Sequence, residues 1–377
     1  MSGVVVRKVE NRKQMNDFIH VPRAIYQHHP QYVPDLESDI PKLFDVQSNP
    51  GLEFSDIQPF VAYRQDIPVG RVVGIVNRKA NKRWEHKNVR FSMIEFIDDL
   101  EVSRALLQTV EEWGRERGMD TIQGPLGITD FDKEGMLVEG FDQMGSIITI
   151  YNPPYYPQHL EALGYKKEVD WVQMRLAIPT EVPEKYARVA RMSKELFGLS
   201  IRKLTTSDIT KGGYGRKVFH LFNEAYYPIF GFVALTDEQI DSYVAHYLKL
   251  IDKQLIPIIE NDKGELVGAA VSMVRLSDAC RKSGGRLFPF GWLHFLRSLK
   301  LKHEDTAELL LIGIRPDYQG LGVNALFFDH LIPLYNRYGF KWAETGPQLE
   351  DNVRELSQWK PLKPELVKRR RCYKKIL

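Results

Sequence analysis

The chain has 377 residues, 43% hydrophobic and 27% charged, with a formal net charge of +3. Those values describe an ordinary globular protein long enough for two or three domains, and a near-neutral balance neither demands nor forbids an acidic partner. Two cysteines, Cys280 and Cys372, exclude a disulfide scaffold and a cysteine-based metal site. The segment Met1–Glu10 lacks a signal-peptide core, and no apolar stretch approaches a membrane span. The expectation is a cytoplasmic protein with no metal and no integral membrane association.

In chain order, Val4–Val9 reads as a strand and Met15–Tyr26 as a helix. Phe60–Arg64 and Val69–Asn77 form a hairpin around Asp66-Ile-Pro68. Phe91–Ile97 is a strand, Glu101–Arg117 a helix, and Thr121–Gln123 a short strand before Gly124-Pro125. A Gly- and Asp-rich stretch, Gly124–Asp142, follows. It is long for a connection, and its Asp130, Asp132 and Glu134 could hold an amine cation; an ordered structural loop explains it equally well. Tyr155–Leu163 is helical and Trp171–Leu176 extended. The Pro-containing Ile178–Pro183 is the expected join, so the chain divides at 1–180 and 181–377. A helix from Pro183 to about Leu196 would bridge the halves.

The second half begins with a strand, Leu199–Leu204. Val218, Leu221, Phe222 and Ala225 have helical spacing within Arg216–Tyr227. Thr236 caps a helix running to about Ile251. Asn261-Asp-Lys-Gly264 turns a hairpin between Leu255–Glu260 and Leu266–Val274. Then come strand Glu308–Ile314, a glycine turn, a helix to about Tyr338, strand Phe340–Glu344, a short helix Asp351–Gln358 and a last strand, Val367–Leu377.

The glycine turn is the most informative segment. Ile314 ends an apolar strand, and Arg315-Pro-Asp-Tyr-Gln-Gly-Leu-Gly-Val-Asn324 leads at once into a helix whose Leu326, Phe327, His330 and Leu331 share a face. A strand, a glycine turn and a helix start present backbone N–H groups and the positive end of a helix dipole to an anion. Glycines at 320 and 322 allow close approach. A P-loop is excluded, since no Lys-Ser/Thr follows the glycines, and Ala325 stands where a dinucleotide fingerprint has its third glycine.

The turn resembles the Arg/Gln-x-x-Gly-x-Gly/Ala turn of the GCN5-related N-acetyltransferases (GNATs), with Gln319, Gly322 and Asn324 at its defining positions; Asn324 replaces the usual small residue. The order of elements from 199 to 377 resembles that fold along its whole length. Asn152-Pro-Pro-Tyr-Tyr-Pro-Gln-His-Leu-Glu-Ala-Leu-Gly-Tyr165 resembles the family's late motif in the first half. The resemblance implies an α/β (α+β) protein of two tandem acyl-CoA N-acyltransferase folds, each a mixed central sheet flanked by helices. In the first copy, Asp98, Asp99 and Glu101 replace the glycine turn and would repel a pyrophosphate. A single acetyl-coenzyme A (or other acyl-coenzyme A) site is therefore expected, in the second copy.

What the resemblance further implies is a site. Leu311, Ile312, Gly313 and Ile314 would hold the pantetheine arm. Gln319, Gly320, Leu321, Gly322, Val323, Asn324 and Ala325 would hold the pyrophosphate. Glu308, on the fourth strand, is the candidate general base, with Glu344 as rival. The family's acid is a tyrosine on the late helix, and Trp359 occupies its place; nothing in the spacing selects Tyr318 or Tyr335 instead. The acceptor would be a small-molecule or peptide amine. A silent acyl-coenzyme A sensor, supported by Trp359, and an aminoacyl transferase of the Fem type are the alternatives; the preserved glycine turn disfavours the latter.

Two segments remain. Gly284–Lys300 carries Trp292, Leu293, Phe295, Leu296 and Leu299 beside basic residues. It fits a lid over the acceptor groove, a dimer or inter-domain contact, or a membrane-surface helix. The basic run Val367–Leu377 reads as an edge strand whose charges oppose aggregation rather than as a nucleic-acid patch.

Overall fold

A strand and a capped helix open the chain in the computed structural model, which describes residues 3–210, 212–245, 251–301 and 304–377. They are β1 (Val5–Lys8) and α1 (Arg12–Tyr26), the latter capped by Asn11, whose side chain accepts from Gln14 N–H. The expected hairpin is longer than its apolar core, with β2 (Ser55–Arg64) and β3 (Ile67–Asn77). Then come α2 (Arg78–Trp84), β4 (Asn88–Phe96), α3 (Leu100–Arg115) and β5 (Thr121–Gly124). β6 (Met136–Glu139), α4 (Tyr155–Ala162) and β7 (Lys166–Ala177) complete the first half. Neither α2 nor β6 was expected: a mixed basic heptapeptide and a four-residue strand carry no period to read.

The second half continues with α5 (Glu184–Phe197), β8 (Ser200–Arg202), α6 (Thr206–Thr210), α7 (Tyr214–Ala225) and α8 (Asp237–Tyr243). Thr236 makes a full capping box with Gln239 at the start of α8. The expected continuation of that helix falls partly on residues 246–250, outside the described ones. The hairpin β9 (Ile258–Glu260) and β10 (Leu266–Val274) is followed by α9 (Ser277–Ser283) and α10 (Trp292–Lys300). Last come β11 (Thr306–Ile314), α11 (Ala325–Tyr338), β12 (Trp342–Thr345), β13 (Gln348–Leu349), α12 (Val353–Ser357) and β14 (Glu365–Ile376).

The chain falls into two units that trade segments relative to a cut at 180/181. One comprises 1–172, 276–295 and 367–377; the other comprises 173–275 and 296–366. In the first unit the strands run β1-β2-β3-β4-β5-β14. All neighbouring pairs among β1 to β4 are antiparallel, whereas β4 and β5 are parallel. Phe60, Val72, Phe91, Leu106 and Trp113 pack on one side, and Phe18, Val61, Val73 and Ile75 on the other. Adjacent residues such as Phe60 and Val61 thus serve opposite cores, which is why these strands read as continuous apolar runs.

The second unit repeats the scheme. β8, β9, β10 and β11 are antiparallel neighbours, β11 and β12 are parallel, and residues 175–177 of β7 pair with β12. Phe327 of α11 lies against Gly268, and Phe222 of α7 against Gly313, whose partner in β10 is Ala269. Consecutive positions face opposite ways in a strand, so α7 and α11 cover opposite faces. α5 belongs to this unit and packs along α11, with the Tyr186 and Phe328 rings 4.5 Å apart.

β14 corrects the reading of the basic run as an edge. It pairs with both β5 and β6. Its cations meet carboxylates of the same unit: Arg371 bonds Asp170 at 2.8 Å and Lys375 bonds Glu111 at 2.8 Å, while Arg369 bonds Glu139 at 3.1 Å. Lys368 and Arg370 are almost wholly buried. The charges are there to pair within the fold, not to shield an open rim.

Candidate functional site

In the second unit, β11 and β12 separate in mid-strand. Their parallel pairing runs only from Thr306 opposite Trp342 to Leu309 opposite Thr345. Gly346 N–H closes the ladder on Leu309 O at 2.8 Å. At that point the antiparallel register with β10 shifts between Val271 and Ser272, so Leu310 is the extra residue of a bulge. A bulge bends the strand and ends pairing, leaving the edge of Leu310–Ile314 without β12. Arg315 N–H bonds Val267 O at 2.8 Å, so Gly313 and Arg315 address β10, and Ile312 and Ile314 turn their polar groups to the open edge.

Tyr226, closing α7, occupies part of that edge. Its hydroxyl donates to Ile312 O at 2.9 Å and accepts from Ile312 N–H at 3.1 Å. Burial, with the Glu355 carboxyl nearby, raises its pKa well above the ordinary phenol value.

β11 leads directly into the glycine turn. Arg315 and Asp317 form a two-point ion pair at 2.7 and 2.9 Å, and Gln319 Nε2 donates to Ile314 O at 2.9 Å. Gly320 and Gly322 both adopt left-handed angles, φ +81 and +78. Among the described residues no acceptor takes the N–H of Gly320, Leu321, Gly322, Val323 or Asn324. Asn324 does not cap α11 with its side chain, which donates instead to Gln358 Oε1 at 3.2 Å. Five successive N–H groups before a helix start meet the requirement of an anion cradle. Gly322 also has a packing role: a Cβ there would lie 2.5 Å from Val189 of α5.

The carboxylates divide into two environments. Glu308, nearly buried, stands opposite Glu344 in the parallel register. Glu344 bonds Arg175 at 2.9 Å and lies 3.7 Å from Arg275, which bonds Glu304 at 2.7 Å. Burial works against the Arg275 charge, but Glu304, Glu344 and Glu308 together hold it above the ordinary arginine range. Glu308 and Glu344 thus belong to one acid–arginine network. Glu355 of α12 is different. It has no cation partner among the described residues; it accepts from Gln348 Nε2 at 2.8 Å, and burial pushes its carboxyl up to about 7.

Trp359 is 3% exposed; its Nε1 donates to Gln348 Oε1 at 3.1 Å and its ring meets Phe328 edge-on. Tyr335 is spent on Ser272, and Tyr318 stacks under Arg315. The tyrosine at the open edge is Tyr226, which sequence reasoning missed. Its one signal is its place four residues after Phe222, on the face of α7 that meets the strands. Glu355 was missed because a glutamate in a short helix looks solvated; its enclosure comes from Gln348 and Gln358 nearby in the chain and from Tyr226, remote in sequence.

In the first unit the same elements close on themselves. β4 has its own bulge, Arg71 facing Glu95 and Val73 facing Ser92, with Met93 at φ 45. Phe96 N–H bonds the Tyr156 hydroxyl at 2.9 Å, and the Tyr155 hydroxyl donates to Phe96 O at 2.7 Å. Where the second unit has its glycine turn, Asp99 caps α3 by accepting from Glu101 N–H at 2.9 Å. Arg64 binds Asp99 at 2.9 Å and Glu101 at 2.8 Å. In the 124–142 loop, Asp132 accepts from Thr129 N–H at 2.9 Å, and burial raises both Asp132 and Glu134.

No family model matches the chain. Protein YghO of Escherichia coli (strain K12) is 27% identical over 381 residues, covering 98% of this chain and 95% of that protein. The bacterial ceramide synthase of Caulobacter vibrioides (strain NA1000 / CB15N) is 26% identical over 349 residues, 89% of each. Among solved structures, a tandem GNAT protein from the clavulanic acid biosynthesis pathway aligns at a TM-score of 0.55. It is 12% identical, with 99% of this chain and 98% of that one covered. A GCN5-related N-acetyltransferase from Sphaerobacter thermophilus aligns at 0.54 with 14% identity, covering 99% and 95%. The doubled bulge-and-splay architecture and these alignments agree: this chain has the tandem fold of the GCN5-related N-acetyltransferase superfamily.

Proposed function

We propose that the chain transfers an acyl group from an acyl-coenzyme A to an amine, using one coenzyme site in the second unit. The supporting observation is the run of five unengaged N–H groups, Gly320–Asn324, beside the open edge of β11. The turn from Gln319 to Ala325 would hold the pyrophosphate, and Leu311–Ile314 the pantetheine arm, in exchange for the Tyr226 hydroxyl on Ile312. Bound there, the coenzyme supplies an acyl thioester.

The amine must lose a proton to react. A base is most effective when its pKa lies near the working pH. Glu355, pushed up to about 7, meets that condition beside Tyr226. Glu308, the candidate by strand position, is one of the three carboxylates that stabilise the Arg275 charge, so it is engaged in a structural network. We assign the proton to Glu355 and keep Glu308 as the tested rival.

The acceptor reading follows from two further points. A ceramide is an amide of a long-chain amino alcohol, and a ceramide synthase is among the relatives. Leu309, Leu310, Leu311 and Ile312 are all apolar and all partly exposed at the splay. Both favour a long-chain amine and an acyl group longer than acetyl. Titration calorimetry with acetyl- and palmitoyl-coenzyme A tests the site. Thiol release and mass spectrometry of the amide, with sphinganine, spermidine and a peptide amine offered as acceptors, test the reaction. Absent coenzyme binding overturns the reading. Binding without turnover on any acceptor replaces it with an acyl-coenzyme A sensor.

A further inference from the structure

Among the described residues, the segment from Arg286 to Leu301 carries the largest run of exposed apolar side chains. Phe288 is 80% exposed, Phe290 71%, Trp292 43%, Leu293 45%, Leu296 45% and Leu301 78%. Trp292, Leu293 and Leu296 share one stripe of α10 by helical spacing, while Ser298 of the same helix is buried. Single exposed apolar residues need no explanation, but so many within sixteen positions do.

The charges within this run are one-sided. From Arg281 to Leu301 there is no acidic residue. Arg286, Arg297 and Lys300 are exposed and, among the described residues, have no carboxylate partner. Phe, Trp and Leu flanked by unpaired Arg and Lys is the composition of an element that lies in a bilayer interface. The rings enter the acyl boundary and the cations meet anionic headgroups. A protein partner would need matching acids; a water-facing helix would not carry the rings. No described helix is long and apolar enough to cross a membrane, so such attachment is peripheral.

We infer that the Arg286–Leu301 segment docks the protein on an anionic lipid surface. This deepens the long-chain amine reading, because an acceptor with a long aliphatic chain is held in a membrane, but its test needs neither donor nor acceptor. The full chain is sedimented with phosphatidylcholine vesicles and with vesicles that also carry phosphatidylglycerol. Binding to the anionic vesicles, weakened by salt, is expected. F288E/F290E should lower it at least about tenfold, and R297E/K300E, which leaves the rings in place, should remove the preference for phosphatidylglycerol. No sedimentation of the wild type with anionic vesicles overturns the inference, as does wild-type binding by both variants. A wild type that forms a dimer broken by F288E/F290E and ignores vesicles overturns it too, and assigns the face to a second copy. Coenzyme binding measured in parallel keeps the two readings separate: the acyl-transfer proposal can fail while vesicle binding stands.

Discussion

Replacing Glu355 with glutamine should make the protein more stable and less active at once. Burial moves this carboxyl from its ordinary 4.5 to about 7. Ionising it inside the fold therefore opposes folding by roughly 3 kcal/mol, and partial exposure trims this to about 2 kcal/mol. Below pH 4.5 the group is protonated whether the chain is folded or not, and no penalty exists; it grows as pH rises and is complete above about 7. Glutamine accepts from Gln348 as the carboxyl does but never ionises. Glu355→Gln should therefore match the wild type in urea denaturation toward pH 4.5 and exceed it by about 2 kcal/mol well above 7. The wild-type kcat/KM should rise with pH through about 7, and the variant should lose about 10²–10⁴-fold in rate together with that rise. A variant less stable than the wild type by the same amount at every pH would refute the burial reasoning. A variant with normal turnover and an unchanged pH profile would refute the assignment of the base.

Other outcomes follow from the same site. Gly322→Ala should destabilise the fold by about 2–4 kcal/mol, because its φ of +78 and the 2.5 Å approach of Val189 act together. Adding Val189→Ala should recover all but about 1 kcal/mol, and urea denaturation of the single and double variants checks it. Gly320 has φ +81 and open space around its Cβ position, so Gly320→Ala should cost only about 1 kcal/mol of stability yet weaken coenzyme A at least about tenfold by calorimetry. Calorimetry should also return one coenzyme A per chain; a value near two would mean that Asp99 and Glu101 do not seal the first unit's turn. Glu308→Gln should leave the pH profile in place while lowering stability through the Arg275 network, as denaturation would show; a lost profile would return the base to Glu308.

The sequence spoke most clearly where local chemistry decides. Asn261–Gly264 turned its hairpin, Thr236 capped α8, and the Gly320–Gly322 turn lay between strand and helix as its spacing implied. It spoke least where the partner is remote. Arg371 looked like a solvated edge charge because Asp170, which neutralises it, lies 201 positions away. The strand position of Glu308 is visible in one dimension, whereas the Arg275 beside it is not, because the pairing of β10 and β11 brings them together. Tyr226 and Glu355 looked like a helix end and a surface acid; their nearness is made by α12 folding back toward α7. Local signals fix elements, while acidity and reach are properties of neighbours.

β14 has a consequence for the order of events during synthesis. The first unit draws its strand beside β5 from residues that leave the ribosome after the whole second unit has been made. Until then Ile122 and Gln123 expose an unpaired rim, and Asp170 and Glu111 wait without Arg371 and Lys375. The two units therefore cannot mature one after the other like beads on a string. The earlier one is held open until the later one has been threaded out, so a translational pause before residue 365 should leave a nascent chain that is protease-sensitive throughout its first 172 residues.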